Sequence, residues 1–121
     1  MELTKRENQI MQIIWQLKKA VIRDIVDQFP SPQPHYNTVA SLVKILVKKR
    51  VLQSELIGIT HQYSPTQDFE EYREEHIEEI KEKFFDNSFS KMMVHFAKTE
   101  KMTDQEREEL IKIIKSTSPE S

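Results

Sequence analysis

Breakers of regular structure are crowded into one part of this 121-residue chain. Its single glycine is Gly58, and four of its five prolines lie between Pro30 and Pro65. Glycine and proline punctuate helices and strands. The front half must therefore be a series of short elements, whereas the residues after Pro65 are free to form longer helices. The expected fold class is mainly α with a small β-hairpin: a compact domain over 1–65, then a helical domain over 66–121.

Local signals place the elements. "LTKRE" offers a capping box, with Thr4 as N-cap and Glu7 three residues on. It opens a helix in which Ile10, Ile14 and Leu17 recur at helical spacing, with Met11 and Ile13 beside them. A short "KKAV" link leads to a second helix near Ile22 to Phe29, stopped by Pro30. After the prolines comes "HYNTVASLVKILVKK". At about 100° per residue, Val39, Leu42, Val43, Leu46 and Val47 fall on one side, and Asn37, Ser41, Lys44 and Lys48 gather on the other. Thr38, Ile45 and Lys49 border that polar face. Val51 to Leu56 and Ile59 to Tyr63 then read as two strands with Gly58 near the turn.

From Thr66 the helical beat returns. Phe69, Tyr72, His76, Ile77, Ile80 and Phe84 share one face of an acid-rich helix. A further helix carries Phe89, Met92, Met93 and Phe96, and "TDQE" at Thr103 to Glu106 is a second capping box, before Leu110, Ile111 and Ile114. The tail "STSPES" is expected to be disordered. Three apolar stripes in so short a stretch exceed what it can bury alone, so pairing with a second copy is expected.

Helix, link, helix, proline-rich turn, polar-faced helix and hairpin is the element order of a winged helix-turn-helix, whose third helix enters the DNA major groove. The charge agrees. Residues 1–65 carry nine lysines and arginines against five acids, net +4, while residues 66–121 come to −6. A basic front and an acidic back suggest a nucleic-acid-facing half and a half with another task. Composition excludes other chemistry. There is no cysteine, hence no disulfide framework, thiolate zinc site or cysteine nucleophile. The four histidines, His35, His61, His76 and His95, show no metal-ligand spacing, and no catalytic triad or phosphate-cradling glycine loop is present. No enzyme activity, metal or cofactor is expected. The start has no signal-peptide shape and apolar runs are only a few residues long. A cytoplasmic protein without membrane insertion is expected.

The residues also resemble a known family. "LTKRENQIMQIIW" is similar to the start of the penicillinase-repressor family (the BlaI, MecI and CopY repressors). "NTVASLVKIL" resembles its recognition helix through Thr38, Val39, Leu42, Val43 and Leu46. "HQYSPT" resembles the last strand of its wing, and "MMVHFAKTEKMTDQEREELIKII" its C-terminal segment. The resemblance runs from Leu3 to about Lys115. It implies a homodimeric bacterial transcriptional repressor on double-stranded DNA with an inverted-repeat operator, in some members regulating antibiotic resistance. It also implies a membrane sensor-protease as partner and relief of repression by cleavage. Cleaved members are cut at an asparagine-phenylalanine bond, and the matching residues here are His95 and Phe96. The sequence departs from the pattern at Ala40 and Ile45, where arginine is common, at Ser41 for threonine, and at Arg50 for glycine. The cysteine cluster of the copper-responsive branch is missing, so copper sensing by that route is not expected.

The expected base contacts are Asn37, Thr38 and Ser41, with Ala40 against a thymine methyl; Lys44, Lys48, Lys49 and the wing are expected on phosphates. Phe69, Tyr72, His76, Phe89, Met92, Met93, Phe96, Leu110, Ile111 and Ile114 are the expected dimer interface. The rival reading is a winged-helix protein-interaction module without sequence-specific DNA binding, favoured by the modest +4 and the missing arginines.

Overall fold

A computed structural model describes residues 2–99 and 101–116. Six helices and one hairpin follow in order: α1 (Lys5–Leu17), α2 (Ile22–Gln28), α3 (Tyr36–Lys48), β1 (Leu52–Ile57), β2 (Thr60–Pro65), α4 (Phe69–Phe84), α5 (Phe89–Thr99) and α6 (Asp104–Ser116). This is a mainly helical chain with a winged helix-turn-helix at its front, as the breaker pattern requires. Two compact units are present, Met1–His76 and Ile77–Ser121.

The first unit has one core. Ile10, Met11 and Ile14 from α1, Ile25 and Val26 from α2, Val39, Val43 and Leu46 from α3, and Leu52 from β1 are all buried. Leu42 and Val47 pack against them from the flanks of α3, so the apolar stripe read from the sequence is the face that α3 turns inward. The capping box of α1 forms: the Thr4 amide donates to Glu7 Oε1 at 2.8 Å, and the Glu7 amide donates to Thr4 Oγ1 at 3.1 Å. Gly58 and Ile59 make the hairpin turn, between paired Ile57 and Thr60. Gly58 takes φ +65°, a conformation in which side chains are strained. The hairpin is also tied to the link between α1 and α2, where Ala20 and Tyr63 exchange two backbone hydrogen bonds of 2.9 and 2.8 Å.

The first unit also runs further than the last strand. The Trp15 indole N–H donates to the Gln67 carbonyl at 3.0 Å, and its ring lies 5.3 Å from Phe69 and 4.8 Å from Tyr72. The first compact unit therefore extends through His76, past the strand that ends at Pro65. Phe69 and Tyr72, expected in a dimer interface, touch Trp15 of their own chain, and Phe69 remains 38% exposed. His76 is exposed and stacks on Tyr72 at 6.2 Å.

In the second unit α6 opens with its capping box, the Glu106 amide donating to Thr103 Oγ1 at 3.1 Å. Ser88 Oγ accepts the Lys91 amide at the head of α5. Met92 is the only buried hydrophobic residue described there. Phe84, Phe89, Val94, Leu110, Ile111, Ile113 and Ile114 are exposed. Ser116, the first residue of the tail expected to be disordered, ends α6, and the rest of that tail lies outside the described residues. Among the described residues no helix is long and apolar enough to cross a membrane.

Candidate nucleic-acid interface

Burying Val39, Val43 and Leu46 decides what α3 shows to solvent. Asn37, Thr38, Ser41, Lys44 and Lys48 are all exposed, and Ala40 is half-buried at the edge of the same face. Among the described residues, the five exposed side chains form no hydrogen bond or ion pair. Small polar groups therefore occupy the N-terminal turns of α3, and lysines follow along its outer side. That is the order in which a helix in a major groove meets first base edges and then phosphates.

Lys49 departs from the expectation. Its ammonium lies 3.0 Å from both carboxylate oxygens of Glu7 and 3.4 Å from the Glu2 carbonyl. Glu7 itself is only 2% exposed. Burial pushes its carboxyl up. The Thr4 amide and the Lys49 ammonium more than offset this and hold it below the usual carboxylate range. Lys49 thus neutralises a buried acid of α1 in its own chain.

Other groups that the sequence pattern did not single out share the outer surface. A cleft of about 400 Å³ lies between α3 and the hairpin, and Arg23, Tyr36, Lys44, Ile59, His61 and Tyr63 line it. The Arg23 guanidinium sits 5.7 Å from the centre of the Tyr36 ring. Burial, and then the neighbouring Tyr36, push the Tyr63 phenol up from its ordinary value, so it remains a neutral donor. One local signal for Arg23 was available: a cation in the first turn of a helix opposes the helix dipole and calls for a reason outside the helix. The hairpin, by contrast, holds no lysine or arginine from Leu52 to Pro65, so the wing brings no fixed cation to phosphates.

The His95–Phe96 bond lies within α5. Both residues are exposed, and their rings lie 5.3 and 6.2 Å from that of Phe85.

A solved structure described as the CopR repressor shares 30% sequence identity, covering 56% of this chain and 100% of that one, with a TM-score of 0.48. No curated protein matches the chain. The family described as penicillinase repressor matches residues 3–116. A match over nearly the whole length assigns the protein, and it belongs to the penicillinase repressor family of transcriptional repressors.

Proposed function

We propose that the chain is a DNA-binding repressor that acts as a homodimer on an inverted-repeat operator, with α3 in the major groove. The observation that carries this reading is the outer stripe of α3, polar, basic and without a hydrogen bond or ion pair among the described residues. In this reading Asn37, Thr38 and Ser41 meet base edges, Ala40 meets a thymine methyl, and Lys44 and Lys48 hold phosphates. The test is a pair of substitutions on a site selected from random DNA. Asn37→Ala or Thr38→Ala is expected to cost about 1–3 kcal/mol on that site and little on random duplex. Lys48→Ala is expected to weaken both and to lower the salt slope by about one. Equal losses on both duplexes for Asn37→Ala and Thr38→Ala would overturn the base-contact assignment. Failure to select any site would favour the rival interaction module.

Pairing is supported by the second unit. A helical unit with one buried hydrophobic residue described and a broad exposed apolar surface lacks the core to stand alone. Phe89, Met93, Phe96, Leu110, Ile111 and Ile114 are the pairing residues in this reading. Around Met92 they supply what a second copy covers in a two-fold arrangement.

Relief of repression by a sensor-protease that cuts at His95–Phe96 is the least local part of the proposal. It is supported by family membership and by the exposure of both residues. Because the bond lies inside α5, local unwinding must precede the cut. Immunoblots of induced cells are expected to show a shortened band as the target gene switches on. Persistence of the full-length band during induction would exclude cleavage as the signal.

A further inference from the structure

Among the exposed residues of α3, Ile45 alone has a side chain with neither a donor nor an acceptor. It is 42% exposed, on a helix whose Val39, Val43 and Leu46 are buried. It follows Ser41 by four residues and Thr38 by seven, so the three side chains line one flank of the outer face. The exposed Lys44 and Lys48 run beside that flank. Lys49, the next residue on it, is paired with Glu7 at 3.0 Å. The flank therefore presents two hydroxyl groups and then a branched hydrocarbon.

Hydrocarbon has no favourable place on a phosphate, because covering a charged oxygen with it removes water and returns no hydrogen bond. Among the groups that base pairs present in the major groove, the apolar one is the C5 methyl of thymine, and the others are donors and acceptors. We infer that Ile45 is a specificity-determining residue that packs on a thymine methyl. The inference rests on the reading of α3 as the recognition helix, and adds to it a base chosen by apolar contact beyond the turns that carry the hydroxyls. Seven residues advance a helix by about 10 Å and successive base pairs are about 3.4 Å apart. This thymine is therefore expected about three base pairs from the base that Thr38 reads. Ala40, placed against a thymine methyl in the same reading, lies on the opposite flank, so two different thymines are concerned. The side chain suits the task. A β-branched residue in a helix holds essentially one χ1 rotamer, so fixing it against a base costs little entropy. The contact is also insensitive to salt, since covering a methyl releases no counterion.

The experiment replaces each thymine of a duplex selected from random DNA, one at a time, by uracil, which keeps the pairing edge and the O4 acceptor and lacks only the methyl. Full-length parent and Ile45→Ala proteins are titrated on every duplex. Uracil at the Ile45 thymine is expected to weaken the parent about fourfold per half-site, the value of one methyl-sized group taken from water. Ile45→Ala is expected to weaken the unmodified duplex several-fold, to bind random duplex like the parent, and to be indifferent to uracil at that one position. Its salt slope is expected to match the parent's. Its urea midpoint is expected to do the same, since the position is exposed, and this separates a lost contact from a loosened fold. Ile45→Val keeps a branched end and is expected to retain the dependence on the methyl. A parent insensitive to every uracil exchange overturns the inference. So does an Ile45→Ala variant that keeps every uracil sensitivity of the parent, or that loses affinity equally on selected and random duplex. In each of these cases, a loss confined to the selected duplex for Asn37→Ala or Thr38→Ala leaves the helix reading standing. If Asn37→Ala, Thr38→Ala and Lys48→Ala all bind like the parent, the helix reading falls and takes this inference with it.

Discussion

A chain ending at His76 is expected to fold, to sediment as a monomer and to lose roughly 10²–10⁴ in affinity for a full inverted repeat, the advantage that tethering two half-site contacts confers. The cut removes the whole second unit with its exposed Phe89, Leu110, Ile113 and Ile114, while leaving every buried residue of the first core in place. Ending the chain at Pro65 is a different experiment. It takes away the Gln67 carbonyl that receives the Trp15 indole N–H, and the Phe69 and Tyr72 rings that cover it. A buried-side aromatic contact and its hydrogen bond together contribute about 2–3 kcal/mol, so the shorter piece is expected to unfold at markedly lower denaturant. Sedimentation and DNA titration on both pieces check this. A His76-terminated chain that holds the full repeat as tightly as the parent would place the pairing surface in the first unit.

Lys49→Ala is expected to destabilise the first unit by about 2 kcal/mol and to leave the salt dependence of DNA binding unchanged. Stranding a buried carboxylate costs more than this when both partners are fully enclosed, and the partial exposure of Lys49, 32% at its side chain, reduces the figure. The pH dependence fixes the mechanism. In the parent, Glu7 is held below its ordinary value of 4.5. Its contribution is therefore complete above about 4.5 and is lost as pH falls through the lower folded value. In the variant the opposing ammonium is gone and burial, which raises the carboxyl, is less opposed. Protonation then relieves the variant as the solution is acidified. Urea unfolding of the two proteins at pH 7 and pH 4 is expected to show a gap that narrows with acid. A gap of constant size would mean that Lys49 acts through packing of its stem and not through its charge.

The features legible in the sequence were those written over a few residues. Thr4 and Glu7, like Thr103 and Glu106, are three apart, and both capping boxes form. The inward stripe of α3 follows from helical angle alone, and the turn at Gly58 from the one residue that accepts φ +65° without strain. What stayed hidden depends on residues far apart in the chain. Lys49 looked like one more outer lysine because its partner is 42 residues away. Pro65 looked like a boundary because it ends a strand, but packing continues through Trp15 to residues 52 and more positions later. Arg23 and Tyr36 belong to a cleft that only the meeting of α2, α3 and the hairpin creates.

The separation of the two faces of α3 has an evolutionary reading. Val39, Val43 and Leu46 carry the helix's share of the core, while the outer residues support nothing inside the chain. Exchanges at exposed positions of this kind usually change stability by no more than about 0.5 kcal/mol. Operator choice can therefore drift while the scaffold stays fixed. If Asn37, Thr38 and Ser41 meet base edges as proposed, a duplicated copy of this repressor acquires new target promoters through these positions without passing through an unfolded intermediate in sequence space.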